Sequence, residues 1–446
     1  MRPPVIIVVI VLAIAGGVSW LLLRTHGAMS FASGTPVDLS QYRGPDPTGV
    51  PAALAKADLV RRGEYLARAG DCAACHTAPD GKAFAGGYAF RLPFGTIYSP
   101  NITPDTETGI GEWSDADFLR AMHDGIGKNG AYLYPAFPYP YYTLLTDNDV
   151  LAIKAYLFSL TPVHYQPPSD DLKFPYNQRY LLRFWNILFN PDRRFQPNSN
   201  RPPQWNRGAY LTEALGHCDD CHTPTNLAMA PDQSRKFGGS VIDEWKAYDI
   251  SADRERGIGG WSDQQLGGYL ADGHAPERSS AGGPMSSAVG NSLRFLTADD
   301  IQAMTAYVKS VPASAESDNP AAVPWPASPP KPPLTLVAGG SPGAGQRVFE
   351  GACASCHGFD GKGTIWQHAD LVGDRSVSDP AATNVILAVL QGVNLSTAQG
   401  QVFMPAFGKA YSDAEIAAVA NFVTDRFGGV SSNVTAADVG KLRQAE

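Results

Sequence analysis

The chain has 446 residues and a formal net charge of −8, from 35 basic and 43 acidic residues. This length is sufficient for about three domains of ordinary size, and the excess of acidic residues argues against nucleic acid as a partner. The six cysteines are all used by three short motifs, so no disulfide is expected.

The chain begins with a long apolar segment. Residues 5–23 are apolar apart from two glycines and a serine, and nineteen helical residues extend roughly 28 Å, close to the thickness of a bilayer core. The alternative is a cleaved signal peptide, which usually has a shorter apolar region and a small-residue cleavage site. We therefore predict a membrane helix within residues 1–27, followed by a polar tether at 28–57.

A Cys-x-x-Cys-His motif occurs three times. Two thiols three positions apart can both add to the vinyl groups of one porphyrin, while the adjacent His lies under the iron as its proximal ligand. A zinc site needs four ligands from paired clusters, and a redox-active Cys pair needs neither the His nor further copies. Three covalently bound haem c groups are thus predicted, held by Cys72, Cys75 and His76, by Cys218, Cys221 and His222, and by Cys353, Cys356 and His357.

Each motif follows a short helix and precedes a longer amphipathic helix, which is the plan of a small haem domain. The predicted fold is mainly α, with three tandem class I cytochrome c domains. Haem attachment of this kind takes place outside the bacterial cytoplasm, so an exported protein is expected. The predicted divisions after the tether are 58–160 for domain one, 161–205 for an aromatic linker, 206–311 for domain two, 312–340 for a Pro-rich linker, 341–430 for domain three and 431–446 for a tail.

Domains one and two resemble each other beyond the haem motif. Ile102–Asp115 matches Ile250–Asp263 at a constant offset of 148 residues, which indicates duplication. Both runs end in Ser-Asp, which can cap the helix that follows. Their tryptophans, Trp113 and Trp261, either contact the haem edge or serve as ordinary core aromatics.

The aromatic linker carries more apolar surface than a solvated helix needs, mainly at residues 180–189. This segment could contact another subunit or the membrane interface. Alternatively, it packs across the backs of domains one and two. Four histidines outside the motifs lie in polar or Gly/Pro-containing loops and are expected at the surface, namely His164, His217, His274 and His368.

The sixth ligand decides what each haem does, and the thioether of Met is the usual choice for electron transfer at raised potential. Met285 and Met404 lie on loops that can cross the distal faces of haems two and three. At the same offset of 148, Phe137 takes the place of Met285, and Phe cannot bind iron. Nearby, His123 is the predicted ligand of haem one, because Met122 has apolar counterparts in both other domains. Met122 or a five-coordinate iron remain alternatives.

The chain resembles the triheme cytochrome c subunits of membrane-bound dehydrogenases in acetic acid bacteria. The resemblance is carried by the three haem motifs with Ser99–Asp105, Gly109–Ser114 and Leu133–Tyr139, and it covers about residues 58–427. It implies three haems that pass electrons from a catalytic dehydrogenase subunit to ubiquinone. It also implies a location in the bacterial inner membrane, with the haem domains facing the periplasm.

The resemblance leaves the partner open between two types. In the alcohol dehydrogenase branch the partner is a pyrroloquinoline quinone enzyme, and the position of Phe137 normally holds Met. That departure favours the aldehyde dehydrogenase type, whose catalytic subunit carries a molybdenum cofactor beside an iron-sulfur small subunit. Cytochrome subunits of quinoprotein alcohol or sugar dehydrogenases are the alternative. A stand-alone multihaem peroxidase or reductase, which needs an open iron position, is a third class.

Overall fold

The computed structural model describes residues 29–314, 323–325 and 343–444. The predicted membrane segment at residues 5–23 lies outside these ranges, as does most of the predicted spacer at 312–340. Among the described residues, no helix combines the length and the apolar character needed to cross a membrane.

Helices dominate the structure, as the sequence predicts. Short 3₁₀ and π-helical turns extend several of them, most clearly after the helices that precede the second and third haem motifs. The helices are α1 Leu59–Ala69, α2 Cys72–His76, α3 Asp115–Asp124, α4 Tyr139–Tyr142, α5 Asp147–Ser159, α6 Leu182–Phe189, α7 Pro203–Ala209, α8 Cys218–His222, α9 Asp263–Asp272, α10 Gly283–Asn291, α11 Ala298–Val308, α12 Ala344–Val348, α13 Ala354–His357, α14 Thr383–Gln391, α15 Asp413–Val423 and α16 Ala436–Gln444.

The strands are short and all pair antiparallel. One three-stranded sheet has the order β1–β2–β3, and three hairpins make up the rest of the described strands. The strands are β1 Ala89–Leu92, β2 Gly95–Tyr98, β3 Asp171–Leu172, β4 Ser240–Ile242, β5 Trp245–Ala247, β6 His274–Ala275, β7 Ser279–Ser280, β8 Val393–Thr397 and β9 Gly400–Met404.

The predicted Ser-Asp caps are present. Ser114 accepts a hydrogen bond from the backbone N–H of Asp117 at 3.1 Å and begins α3, and Ser262 does the same for Gln265 at the start of α9. Each cap satisfies a backbone donor that has no partner within the helix. The duplicated sequence therefore forms the same helix start twice.

Three pairs of helices cross at a glycine. They are α1 with α5, α7 with α11, and α12 with α15. A Cβ atom on Gly63, Gly208 or Gly345 would lie 1.8, 1.9 or 2.1 Å from a backbone carbonyl oxygen of the partner helix. No side chain fits at that distance, so the glycines let the two helix backbones touch. The same crossing in all three repeats orients the segment that leads into each haem motif.

Domains one and two share one hydrophobic core and are joined by a symmetric pair of contacts. Tyr65 of α1 donates its hydroxyl hydrogen to Asp300 of α11 at 2.6 Å, and Tyr210 donates to Asp149 of α5. Each tyrosine thus reaches from the entry helix of one domain to the closing helix of the other. All four side chains are buried, so the interface is a fixed junction between the two domains.

Removing these hydroxyls should weaken the junction. We expect Tyr65→Phe and Tyr210→Phe each to lower the free energy of unfolding by about 1–3 kcal/mol, because each leaves a buried carboxylate short of one charge-assisted hydrogen bond. Thermal unfolding, followed by circular dichroism, measures the loss. Tyr180→Phe, at an exposed tyrosine, is the control. Variants as stable as the parent would contradict a contribution from these bonds.

Domain three packs on domain two through ion pairs and hydrogen bonds. Lys246 of β5 lies 2.7 Å from Asp379, and its backbone N–H donates to the side chain of Asn384 at 2.8 Å. Asp374 accepts from the backbone N–H of Ser280 at 2.7 Å. The contact also has an apolar part, because the buried Leu395 of β8 and the partly buried Val402 of β9 belong to the same hydrophobic core as domains one and two.

The aromatic linker packs across domains one and two, which is one of the two arrangements that the sequence left open. Trp185 of α6 donates to the carbonyl of Ala228 in domain two at 2.8 Å, and Asn186 donates to the carbonyl of Asp124 in domain one at 2.9 Å. One side of α6 therefore bridges the two domains. The other side is exposed to solvent at Phe184 and Ile187.

Candidate haem sites

Each haem motif lies in a single short helical turn. In the first two domains the residue before the first cysteine, Asp71 or His217, has a left-handed backbone with φ of 52° or 35°. The left-handed residue separates the end of the entry helix from the start of the motif helix. Residues three apart lie on one face of a helix, so the two sulfurs of each motif project to the same side.

The three motif histidines make the same bond. His76 Nδ1 lies 2.8 Å from the carbonyl oxygen of Pro100, His222 Nδ1 lies 2.8 Å from that of Tyr248, and His357 Nδ1 lies 2.7 Å from that of Ala369. A carbonyl can only accept, so Nδ1 carries the hydrogen and Nε2 keeps its lone pair for iron. Burial lowers the pKa of all three rings, which keeps them neutral.

These acceptors were not predicted from the sequence. Pro100 and Tyr248 are related by the same offset of 148 residues as the flanking repeat. The repeat could therefore have located the pair, although the residue types differ, because only the backbone oxygen is used.

A continuous cavity of about 2030 Å³ runs between the domains. This volume is about twice the upper end of the roughly 300–1,000 Å³ usual for a single-ligand pocket. Seven motif residues line it, namely Cys75, Cys218, Cys221, His222, Cys353, Cys356 and His357. Cys72 and His76 are not among its lining residues. The cavity therefore lies beside the second and third motifs and reaches the first motif at Cys75.

Polar groups of the cavity fit the anionic propionates of a haem. The indole Nε1 of Trp261 and the Nη1 of Arg375 are buried without a hydrogen-bond partner among the described residues, and both residues line the cavity. A buried donor without a partner is costly. A carboxylate at this position would satisfy both. The structure thus favours contact with haem for Trp261, one of the two roles considered for it.

Met285 and Met404 line the same cavity as His222 and His357. Met285 lies in the first turn of α10, and Met404 ends β9, where it pairs with Val393. The structure therefore brings both predicted sixth ligands to the cavity that the motif residues line.

Domain one differs at this position. Phe137 packs on the rings of Tyr139 and Tyr142, with centroids 6.3 and 5.6 Å apart. Met122 is buried in the core, and its counterparts Leu270 and Val389 line the cavity in the other domains. The described part of this site thus places an aromatic ring where domain two has Met285.

His123 is buried beneath the aromatic linker. Its Nδ1 lies 2.6 Å from Nη2 of Arg194, and Asn190 donates to its carbonyl oxygen at 3.0 Å. Burial and the nearby Arg194 lower the pKa of His123 to about 4, so the ring is neutral. Because Arg194 can only donate, Nδ1 accepts and the ring hydrogen lies on Nε2. Nε2 is buried without a hydrogen-bond partner among the described residues, and the ligand role of His123 stays a prediction.

Three of the four histidines expected at the surface are wholly or partly covered, which corrects that prediction: His274 is buried, and His217 and His368 are half-buried. His217 packs against the rings of Tyr141 and Tyr142. His274 and His368 lie together between domains two and three, with ring centroids 5.1 Å apart. Their polar local sequences did not reveal the domain contacts that cover them. His164 is exposed, as expected.

The first two haem motifs lie against each other. The Tyr142 hydroxyl donates to the carbonyl of Gly70 at 2.8 Å, and the Tyr142 ring is 5.8 Å from that of His217. Gly70 and His217 precede the two motifs by one or two residues. Domains one and two therefore meet at their haem attachment segments.

These features define a c-type cytochrome. Residues 60–161 match the cytochrome c family, and residues 340–423 match the family described as cytochrome c oxidase, cbb3-type, subunit III. Both matches imply covalently bound haem c, as the motifs predict.

Similarity to characterised proteins narrows the class. The chain is 38% identical to the fructose dehydrogenase cytochrome subunit of Gluconobacter japonicus, over 89% of this chain and 85% of the relative. It is 38% identical to the gluconate 2-dehydrogenase cytochrome c subunit of Pantoea cypripedii, over 87% and 90% of the two chains. It is 36% identical to the cytochrome c subunit of a quinone-dependent alcohol dehydrogenase from Gluconobacter oxydans, over 86% and 82%.

The chain belongs to the family of cytochrome c subunits of dehydrogenase complexes. It is therefore an electron-transfer subunit, and the catalytic site lies on another subunit. The predicted resemblance is confirmed at this level.

Proposed function

We propose that this protein is a triheme cytochrome c that passes electrons from a catalytic dehydrogenase subunit to ubiquinone in the inner membrane, with its haem domains facing the periplasm. The observation that carries the proposal is that all three motif histidines make the same bond, with Nδ1 donating to a backbone carbonyl. This bond leaves Nε2 of each ring free for iron.

The residues of this chain position the ligands of each haem. Bound haem supplies one-electron iron chemistry, and its potential depends on the axial ligands. Each carbonyl fixes the ring of its histidine, and Met285 and Met404 offer a thioether to haems two and three. Oxidation of one substrate molecule by the partner releases two electrons, and these reduce one ubiquinone with two protons to ubiquinol.

Haem one is proposed to differ from the other two. Phe137 cannot bind iron, and His123 is the proposed sixth ligand, with an Nε2 that is buried and has no hydrogen-bond partner among the described residues. Met122 or a five-coordinate iron are the alternatives. Each of the three would give haem one a potential and a spectrum of its own.

The partner is proposed to be an aldehyde-oxidising subunit with a molybdenum cofactor, accompanied by an iron-sulfur subunit, because of Phe137. The named relatives favour the alternative, a partner that oxidises a sugar, a sugar acid or an alcohol. The two candidates differ in metal and cofactor content and can be separated directly.

The test is purification of the intact complex from the native host. We expect three haems per copy of this chain, and reduction of these haems when the substrate of the complex is added. Molybdenum with iron in excess of the haems supports aldehyde oxidation, whereas pyrroloquinoline quinone without molybdenum contradicts it. Haems that remain oxidised in an active complex would overturn the electron-transfer role. A lack of ubiquinone-analogue reduction would overturn the proposed acceptor.

A further inference from the structure

The exposed side of α6 and the turn before it forms an apolar face. Tyr180, Phe184 and Ile187 are spaced four and three residues apart, so they share one side of the helix. Their exposed fractions are 62%, 62% and 65%, and the nearby Phe174 is 79% exposed. We call Tyr180, Phe184 and Ile187 the outer face of α6.

This face is held rigidly by the opposite side of the helix. Trp185 and Asn186 bond to backbone carbonyls of two different domains, and the Tyr139 hydroxyl donates to Asn186 at 2.7 Å. Exposure of the outer face is therefore a property of the packed structure. No rearrangement is required before a partner can bind.

Two basic residues without an ion pair lie near the outer face in the sequence. Arg179, Arg194 and Arg207, by contrast, are paired with carboxylates. Lys173 and Arg183 are exposed, and neither forms an ion pair within the described part of the chain. Arg183 lies between Tyr180 and Ile187 along the helix. An anionic surface would complement this distribution.

The start of the described chain is attached to the same linker. The backbone N–H of Val37 donates to Pro197 at 2.9 Å, and that of Ser199 donates to Thr35 at 3.1 Å. The segment that follows the predicted membrane helix therefore runs along the linker eight residues beyond the end of α6. A membrane anchor at residues 5–23 would be joined to the rest of the molecule through a segment that contacts this linker.

We propose that α6 lies in the lipid–water interface of a membrane that contains acidic phospholipids. Phe184 and Ile187 enter the acyl boundary, while Tyr180 and Arg183 lie at the level of the headgroups. Aromatic residues with flanking cations are typical of helices at this depth. The inference rests on the proposed membrane location of the chain, and it assigns a second contact beside the N-terminal segment.

The test uses the full-length holoprotein in vesicles of phosphatidylglycerol and phosphatidylethanolamine. All six native cysteines belong to haem motifs, so an added cysteine supplies the single free thiol for a spin label. Ile187→Cys is compared with Phe359→Cys, because the two side chains are 65% and 59% exposed and Phe359 does not line the cavity. We expect the label at 187 to be several-fold less accessible to a water-soluble nickel chelate, and more accessible to oxygen, than the label at 359.

Equal accessibility at the two positions, in protein that sediments with the vesicles, would overturn the proposal for α6 and leave the membrane location intact. Protein that does not sediment with vesicles would overturn both. Protection at 187 that appears only when the catalytic subunit is added would identify the face as a subunit interface and refute lipid binding. Replacement of phosphatidylglycerol by phosphatidylcholine, or Arg183→Gln, should reduce the depth reached by the label at 187.

Discussion

Replacement of Met285 or Met404 by alanine should lower the reduction potential of a single haem by on the order of 0.1 V or more. Thioether ligation favours the ferrous state, and the choice of axial ligands spans about 0.8 V across haem proteins. Both methionines line the cavity beside the corresponding motif histidine. Spectroelectrochemical titration should show one of the three waves displaced in each variant, and a different one in each.

Met229→Ala is the matched control, because Met229 is half exposed in a loop and has no proposed ligand role. Its titration should coincide with that of the parent. If Met285→Ala leaves every wave unchanged while Met229→Ala displaces one, the ligand of haem two has been assigned to the wrong methionine.

The second large effect is expected at a helix crossing. Gly208→Ala should destabilise domain two by about 3 kcal/mol or more, because the added Cβ would lie 1.9 Å from the carbonyl oxygen of Ala303 and force the two helices apart. Overpacking in a core typically costs about 1–3 kcal/mol, and a backbone obstacle lies at the upper end. Chemical denaturation followed by haem absorbance measures the change.

Gly267→Ala provides the comparison within the same domain. A Cβ at Gly267 would meet its nearest neighbours at 3.7 and 3.8 Å, which is ordinary contact. Because Gly267 lies inside α9, alanine should be neutral or stabilising by up to about 1 kcal/mol. Equal stability of Gly208→Ala and the parent would show that the crossing can relax and that the glycine is not required.

Local patterns predicted the parts of this protein that depend on nearby residues. The haem motifs, the Ser114 and Ser262 caps and the helices that close each domain follow from spacing within about fifteen residues. The internal repeat added the positions of Met285 and Met404 relative to the motifs. These features are short-range or repeated, so the sequence contains them directly.

Contacts between domains could not be predicted in this way. The pairing of Tyr65 with Asp300 joins residues that are 235 positions apart, and no local pattern marks either partner. The same limit applies to His123. Its identity as an outlier among the repeats predicts a ligand role, but no local pattern reveals that Arg194 of the linker, 71 positions away, contacts its Nδ1.

The common hydrogen bond of the three motif histidines limits which substitutions can alter the haem sites during evolution. Pro100, Tyr248 and Ala369 hold the three rings through main-chain oxygens, and substitution of a side chain does not remove a main-chain oxygen. A substitution at any of these three positions therefore leaves the hydrogen bond to the proximal histidine in place. We expect differences in reduction potential among the haems to arise mainly on the distal side, where domain one has Phe137 and the other two domains have Met285 and Met404.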